Sequence, residues 1–416
     1  MKAITRALEP GPPIDPIAVA GDHGVLIAGC SLTVAGQGRA AVLGLPAGLH
    51  DPAAAAGVSR ALAAIERDDP VGLPGTGPVA VGSLPFEPGA PAALVVPALL
   101  YGRDSTGAEW ATVVAEDPVE PDRALVLAGL AHPEGAAGAP PRLVASDPAD
   151  YAAAVARARA EIRRGALAKV VLARRLVVDL GRPVAPTAVL GRLANREPSA
   201  TAFLVRHPGA GVFVGASPEL LVSRRARQVR SHPLAGTAAA GDGAGLLGSP
   251  KELEEHRLVV ADIVSVLEPR CLELDVPPPS LVPLASMTHL GTAIAGTLRP
   301  AAGAPPSALE LAAALHPTPA VGGVPRQRAL ALIGELEPGR RGPWAGPVGW
   351  LDADGDGDFV VGLRSSTLAG RRAEVWAGAG IVAASDPAAE LAETDLKLAA
   401  VLRCLVADAE SLVLRQ

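Results

Sequence analysis

Short apolar runs separated by glycine and proline constrain this chain more than any other feature of its sequence. From about residue 79 the runs have the length and composition of strands, as at 94–96, 124–127 and 169–178. Single helical patterns interrupt these runs instead of alternating with them regularly, which argues against repeated βαβ units. We therefore predict an α+β fold with a large, mainly antiparallel β-sheet core flanked by helices.

The helical patterns begin and end at recognisable residues. Helices are predicted at 151–164, 187–195, 249–267, 307–315, 325–335 and 386–405. The third begins with Ser249, Pro250 and, at capping-box spacing, Glu252. Three strands are predicted between residues 346 and 381, where apolar runs alternate with Gly/Asp turns. Residues 1–75 carry little chemical signal.

Composition excludes several classes of protein. The chain has 416 residues, 49% hydrophobic and 19% charged, which is incompatible with intrinsic disorder. A net charge of -6 and the scarcity of aromatic residues, at 2%, argue against nucleic-acid binding. The 3 cysteines form no C-x-x-C pair, and no apolar stretch has the length of a membrane span. We expect a soluble protein of the cytoplasm that binds neither nucleic acid nor membrane.

Three partial motifs do not carry function. The G-x-G-x-x-G at 243–248 follows no hydrophobic strand, so a flexible loop is predicted in place of a dinucleotide site. The acidic run at 352–357 resembles an EF-hand start but has Leu363 where Glu is needed, so a hairpin turn is predicted. Glu219 stands where a nucleophile elbow requires Gly.

Two helices each present a pair of glutamates at i, i+3 spacing, which places both members on one helix face: Glu252 and Glu255, then Glu390 and Glu393. Four converging carboxylates would form an all-oxygen site suited to Mg²⁺. Glu255 and Glu393 are the expected direct ligands, with Glu252 and Glu390 acting through water. The alternative is four ordinary solvated glutamates, and for Glu252 a role in the helix cap.

Lys169 and Glu219 are the candidates for acid–base chemistry. Strand alternation places Lys169 on one face with Val171 and Ala173, where an amine is costly while charged and a neutral base is favoured. Its alternative is a strand-end lysine whose amine reaches water. Glu219 lies between two apolar runs, where burial would raise the pKa of its carboxyl and make it an acid. Its alternative is a plain turn residue.

Further groups suit an anionic substrate. Arg364 ends an apolar strand and could bind a carboxylate through two hydrogen bonds. Lys397 shares a helix face with Glu393, and the segment Gly378, Ala379 and Gly380, placed just before the last helix, offers backbone N–H groups. Each alone could be a surface ion pair or a turn. Together they predict a carboxylated substrate bridged to Mg²⁺.

Seven ordered motifs resemble those of the chorismate-utilising enzymes, most closely the isochorismate synthases. They are KVVLAR at 169–174, FVGASPELLV at 213–222, PLAGT at 233–237, KELEEH at 251–256, HPTPAVGG at 316–323, GAGIV at 378–382 and ELAETDLK at 390–397. A weaker match is GSLPFE at 82–87.

The resemblance implies a single domain of the chorismate-utilising fold, with 76–416 as the catalytic part and 1–75 as its variable N-terminal part. It implies Mg²⁺ on Glu255 and Glu393, supported by Glu252 and Glu390. Lys169 would activate water for attack at C2 of chorismate, and Glu219 would protonate the departing C4 hydroxyl. Arg364, Lys397 and the segment 378–380 would hold carboxylates, while His289 and Trp344 would line the pocket.

Two positions bear on the reaction. Lys169 favours water as nucleophile over the ammonia of anthranilate synthase, and Ala320 stands where salicylate and anthranilate producers typically have Thr. The resemblance thus implies reversible conversion of chorismate to isochorismate, with salicylate synthase or an anthranilate or aminodeoxychorismate synthase component as alternatives. We expect a monomer without a glutamine amidotransferase subunit. Whether the product serves menaquinone or siderophore biosynthesis stays open.

Overall fold

Antiparallel strands dominate the molecule. The computed structural model describes residues 1–130, 141–145, 148–207, 211–239, 241, 243–300 and 304–406. Within these ranges the pairing of the first strand with the fifth is parallel, and every other ladder is antiparallel. The predicted α+β class is confirmed.

The described strands, in chain order, are β1 (Lys2–Ala7), β2 (Val25–Ala28), β3 (Leu32–Gln37), β4 (Ala41–Leu45), β5 (Glu66–Asp68), β6 (Val79–Ser83), β7 (Ala92–Val96), β8 (Leu99–Asp104), β9 (Glu109–Ala115), β10 (Arg142–Ala145), β11 (Lys169–Asp179), β12 (Thr201–His207), β13 (Gly211–Ser217), β14 (Leu220–Arg225), β15 (Gln228–His232), β16 (Leu234–Ala239), β17 (Cys271–Asp275), β18 (Ser280–Pro283), β19 (Met287–Gly291), β20 (Ile294–Leu298), β21 (Gly323–Val324), β22 (Pro347–Asp352), β23 (Gly357–Val361), β24 (Ser365–Ala369) and β25 (Arg372–Ile381).

The described α-helices are α1 (Pro16–Ala20), α2 (Pro52–Ala63), α3 (Arg123–Ala128), α4 (Pro148–Arg163), α5 (Pro186–Arg196), α6 (Pro250–Leu267), α7 (Ala308–Leu315), α8 (Arg326–Leu336) and α9 (Pro387–Leu405). Short 3₁₀ helices cover Gly243–Gly248 and Glu268–Arg270. No helix among the described residues is long and apolar enough to cross a membrane.

The strands form two large sheets and one small one, where a single large sheet was predicted. The first sheet has 13 strands, in the order β10-β11-β25-β24-β13-β12-β2-β3-β8-β9-β1-β5, with β21 added beside β11. The second has 9, in the order β17-β20-β15-β14-β23-β22-β6-β7-β4, and the third is β16-β19-β18. Strands from residues 1–75 enter both large sheets.

Buried apolar side chains join these layers. The cluster containing Val34, Trp110 and Phe213 from the first sheet and Val81 and Trp350 from the second packs the two large sheets against each other. Two further clusters pack helices against the sheets, through residues such as Val155, Val259 and Leu332 in one, and Leu190 and Leu402 in the other. The arrangement leaves helices α6 and α9 beside β16 and β25 respectively.

Three local predictions are wrong. Residues 124–127 belong to helix α3 instead of a strand, because the Asp122 carboxylate caps the helix by accepting from the Leu125 N–H at 2.7 Å. The segment 243–248 is a 3₁₀ helix instead of a flexible loop. Four strands, not three, lie between residues 346 and 381. The predicted hairpin turn at 352–357 is confirmed between β22 and β23.

Candidate active site

A cavity forms where the chain passes between the two large sheets. Residues 218–219 connect β13 of the first sheet to β14 of the second, and residues 362–364 make the return from β23 to β24. Because β13 pairs with β24 and β14 with β23, these connections lie side by side. The Val361 N–H donates to the Glu219 carbonyl at 3.0 Å, and the Ala216 N–H donates to that of Arg364 at 3.2 Å. Glu219 and Arg364 therefore share one end of the cavity.

The Glu219 carboxyl is held in its protonated form. Its side chain lines the cavity and is only 3% exposed. Burial raises its pKa to about 8, although the positive charge of Lys169 partly opposes the shift. The raised pKa agrees with the expectation from burial, and the role of Glu219 as an acid stays a prediction. Its backbone lies in the connection between β13 and β14, but its side chain is buried, so it is more than a plain turn residue.

The Lys169 amine is buried and does not itself line the cavity. The residue opens β11, is 0% exposed and pairs with Glu255, with 3.0 Å between Nζ and Oε1. The alternative of an amine that reaches water is therefore wrong. A Cβ on Gly380 would lie 2.2 Å from Glu255 Oε1 and 3.0 Å from Lys169 Cε. The Lys169–Glu255 ion pair therefore occupies space that a Cβ at position 380 of β25 would fill.

The two glutamate pairs come together between α6 and α9, and each carboxylate has a lysine beside it. Lys251 lies 3.4 Å from Glu252 and 3.2 Å from Glu390. Lys397 lies 2.6 Å from Glu393. Burial, then the charge of Glu255, raises the pKa of Glu252; burial, then the charge of Glu393, raises that of Glu390. These four are not ordinary solvated glutamates.

The capping explanation for Glu252 holds only for its backbone. The Glu252 N–H donates to Ser249 Oγ at 3.4 Å, as an N-cap requires. Its carboxylate, however, turns away and accepts from the Thr237 N–H at 3.1 Å.

The arrangement and the ligand type of the four carboxylates bear on whether they could hold a metal ion. The described part of the chain contains no group of three or more His, Cys, Asp or Glu side chains already arranged around one metal position. The donors are nevertheless all carboxylate oxygens, which is the ligand type that Mg²⁺ prefers, and they crowd one another electrostatically. The donors are thus of the type that Mg²⁺ takes, and in this structure each of the four carboxylates is paired with a lysine.

Arg364 presents a guanidinium that lacks a carboxylate partner. Across the described residues no acidic side chain lies within 4.0 Å of it. Its Nη2 instead contacts Met287 Sδ at 2.6 Å and His289 Nε2 at 3.3 Å. Burial lowers the pKa of Arg364 to about 10, which still leaves it charged at neutral pH. Such a group facing a cavity is suited to binding an anion.

His289 supports Arg364 in its neutral form. Burial, then the charges of Arg364 and Lys397, lowers the pKa of His289 to about 3. Its Nδ1 lies 3.1 Å from the Gly236 carbonyl, so we assign the proton to Nδ1, which leaves Nε2 to accept from Arg364.

The segment 378–380 lies within β25, near its end. Lys397 Nζ donates to the Gly378 carbonyl at 2.8 Å, so the backbone of Gly378 faces the cavity. Gly380 lines the cavity as well, whereas Ala379 between them does not, in keeping with the alternation of residues along a strand. A contribution of the Ala379 backbone to anion binding stays a prediction.

The structure gathers most of the predicted residues around one cavity. It is lined by Glu219, Glu255, His289, Ala320, Trp344, Arg364, Gly378, Gly380, Glu393 and Lys397. Glu252 and Glu390 line an adjoining cavity, which shares Thr237 and Glu393 with the first. Lys169 pairs with Glu255 of this lining, and neither Lys169 nor Ala379 lines the cavity itself.

Sequence reasoning missed two residues at the site. Trp376 lines the cavity and stacks on Trp344, with ring centroids 5.9 Å apart. Strand alternation from Gly378 and Gly380 would have placed Trp376 on the same face. Lys251, which bridges the two glutamate pairs, directly precedes Glu252 in the KELEEH motif but was not singled out.

Comparison with known proteins identifies the family of this chain. The family model of the chorismate binding enzymes matches residues 130–406. The chain is 43% identical over 280 residues to the salicylate biosynthesis isochorismate synthase of Pseudomonas aeruginosa, covering 65% of this chain and 58% of that protein. It is 34% identical over 334 residues to isochorismate synthase EntC of Escherichia coli K12, covering 78% and 80%.

A solved structure extends the similarity over nearly the whole molecule. The menaquinone-specific isochorismate synthase MenF of Escherichia coli superimposes with a TM-score of 0.77 at 25% identity, covering 97% of this chain and 94% of that one. With its family model, its relatives and its fold in agreement, the chain belongs to the chorismate binding enzymes and within that family is most like the isochorismate synthases.

Proposed function

We propose that this protein is a Mg²⁺-dependent isochorismate synthase that converts chorismate reversibly to isochorismate. The observation that carries the proposal is one cavity lined by the Glu219 carboxyl, whose pKa is raised to about 8, and by the Arg364 guanidinium, with Lys169 paired to Glu255 of the same lining. This arrangement supplies an acid, a base and an anion-binding group around one bound ring.

Chorismate is a dianion, and the cavity offers cations for both of its carboxylates. Arg364 would bind one of them through its guanidinium, positioned by His289 at 3.3 Å. The amine of Lys397 and the backbone of Gly378 lie at another wall of the same cavity. The apolar side chains of Leu363, Trp344 and Trp376 complete a surface for the ring.

The reaction needs one proton removed and one supplied. Lys169, as a neutral amine, accepts a proton from a water molecule as the water oxygen bonds to C2. The two ring double bonds shift, the bond from C4 to its hydroxyl breaks, and Glu219 donates its proton so that the hydroxyl leaves as water. The sum is an isomerisation, and proton exchange with solvent restores both side chains.

Glu255 and Glu393 would hold Mg²⁺, with Glu252 and Glu390 behind them. When bound, the ion would neutralise a substrate carboxylate among these glutamates and orient it. In the described structure Glu255 pairs with Lys169. A change of partner by Glu255 would free the Lys169 amine from this ion pair.

Product analysis tests the proposal. We expect the purified protein, given chorismate and Mg²⁺, to produce isochorismate, and EDTA to stop the reaction. Release of pyruvate with salicylate would indicate a salicylate synthase, and a requirement for ammonia would indicate an anthranilate or aminodeoxychorismate synthase. Unchanged chorismate in the presence of folded protein would refute the assignment.

A further inference from the structure

Arg341 is a buried guanidinium for which the proposed reaction has no role. Its side chain is 2% exposed, and it lies just before the turn that leads to Trp344 and β22. It forms an ion pair with Glu337, at the end of α8, with Nε 2.8 Å from Oε2. Burial of such a pair is costly unless further hydrogen bonds satisfy it.

Those further bonds go to the strand that carries Lys169. Arg341 Nη2 donates to the Val171 carbonyl at 2.9 Å, and the Glu337 carboxylate accepts from the Ala173 N–H at 2.8 Å. On this edge of β11, β21 pairs only with Lys169 and Val170, and β10 pairs only from Val177 onward. The ion pair therefore takes the place of a neighbouring strand at residues 171–173, two residues beyond Lys169.

The Arg341 guanidinium also contacts two other segments beside the cavity, at Val321 and at Trp344. Arg341 Nη1 donates to the Val321 carbonyl at 2.7 Å, next to Ala320. Its carbon Cζ lies 5.2 Å from the centroid of Trp344 and 4.1 Å from that of Phe86. The Arg341 N–H also donates to Glu87 at 2.7 Å. Three motif segments, at 82–87, 169–174 and 316–323, thus meet at one side chain.

We propose that Arg341, together with Glu337, is a positioning residue that fixes Lys169, the wall at residues 320–321 and Trp344 relative to one another. The inference rests on the proposed function, because it assigns Arg341 a part in that reaction. Displacement of a reacting group by about 1 Å can lower a rate by roughly 100-fold. Arg341 touches no reacting atom, so it would influence the rate only through the positions of Lys169, residues 320–321 and Trp344.

The test compares Arg341→Met with Arg224→Met. Arg224 is also buried, at 4% exposure, and pairs with Asp356 at 3.1 Å, but it does not line the cavity. Both variants lose a buried ion pair. At a temperature where both are folded, we expect Arg341→Met to lower kcat for chorismate by roughly 10- to 100-fold with a smaller change in KM. Arg224→Met should keep the kcat of the natural protein.

Amide hydrogen exchange without substrate gives a readout that does not depend on turnover. Arg341→Met should accelerate exchange at residues 169–173 and 320–321, and Arg224→Met should not. Arg341→Lys keeps the charge but cannot reach both carbonyls at once, so an intermediate kcat is expected. If Arg341→Met does not fold, the variant Glu337→Gln is used in its place. It should also lower kcat and accelerate amide exchange at residues 169–173 and 320–321.

Unchanged exchange at these residues, or equal loss of kcat in Arg341→Met and Arg224→Met, would overturn the role of Arg341. A natural protein inactive on chorismate would instead refute the proposed function, and the exchange comparison would then decide alone whether Arg341 fixes Lys169, residues 320–321 and Trp344.

Discussion

Burial determines the protonation state of Glu219, and with it the chemistry available at neutral pH. Because the folded pKa of about 8 lies above the ordinary value of 4.5, this group stabilises the folded state fully below about pH 4.5. That contribution is lost as the pH rises toward 8, since the unfolded chain releases the proton more readily. The same deprotonation removes the acid, so turnover should also fall as the pH passes 8.

The substitution Glu219→Gln tests whether the buried carboxyl is protonated at neutral pH. The amide keeps the shape of the protonated carboxyl but cannot ionise, so its free energy of unfolding relative to that of the natural protein should rise between pH 5 and pH 8, by roughly 3–4 kcal/mol. Urea unfolding at several pH values measures the difference. The variant should lack turnover at every pH. A stability difference that is the same at pH 5 and pH 8 would show that the buried carboxyl is not protonated.

At the scale of elements, the Lys169–Glu255 ion pair packs against Gly380 of β25. Gly380→Ala should leave the fold intact, because the added methyl meets the ends of flexible side chains, 2.2 Å from Glu255 Oε1 and 3.0 Å from Lys169 Cε. Displacement of these side chains should lower kcat by about tenfold or more. Steady-state kinetics and thermal unfolding measure the two effects.

The matched control is Gly44→Ala in β4, where an added Cβ meets no atom within 4 Å. It should change neither kcat nor stability by much. A Gly380→Ala protein with the turnover of the natural one would mean that the position of the ion pair does not limit the reaction.

The start of a helix could be predicted from the sequence where a capping residue determines it. Helix α6 begins where Ser249 caps it, and α7 begins at the capping box of Ser307 and Glu310. The run at 124–127 was misassigned because its apolar residues suit a strand equally well, and the cap at Asp122 decided the outcome. Likewise, the alternation along β25 separates Ala379, which does not line the cavity, from Gly378 and Gly380, which do.

At the scale of the whole molecule, the site depends on contacts that no local pattern encodes. Glu219 and Arg364 meet because β13 pairs with β24 and β14 with β23, over a long separation in the chain. The motifs supplied the residue identities through resemblance, but they did not indicate two packed sheets or the connections between them. Arg341 was missed for the same reason, since its partners come from three distant segments.

In the proposed reaction Lys169 activates water for attack at C2 while Glu219 releases the C4 hydroxyl as water. Incubating the protein with chorismate and Mg²⁺ in ¹⁸O-labelled water, followed by mass spectrometry of the product, traces the oxygen of the attacking water. We expect isochorismate that carries one solvent oxygen at C2, and no product from Lys169→Ala. Isochorismate without the label, or labelled product from Lys169→Ala at the natural rate, would contradict the proposed reaction.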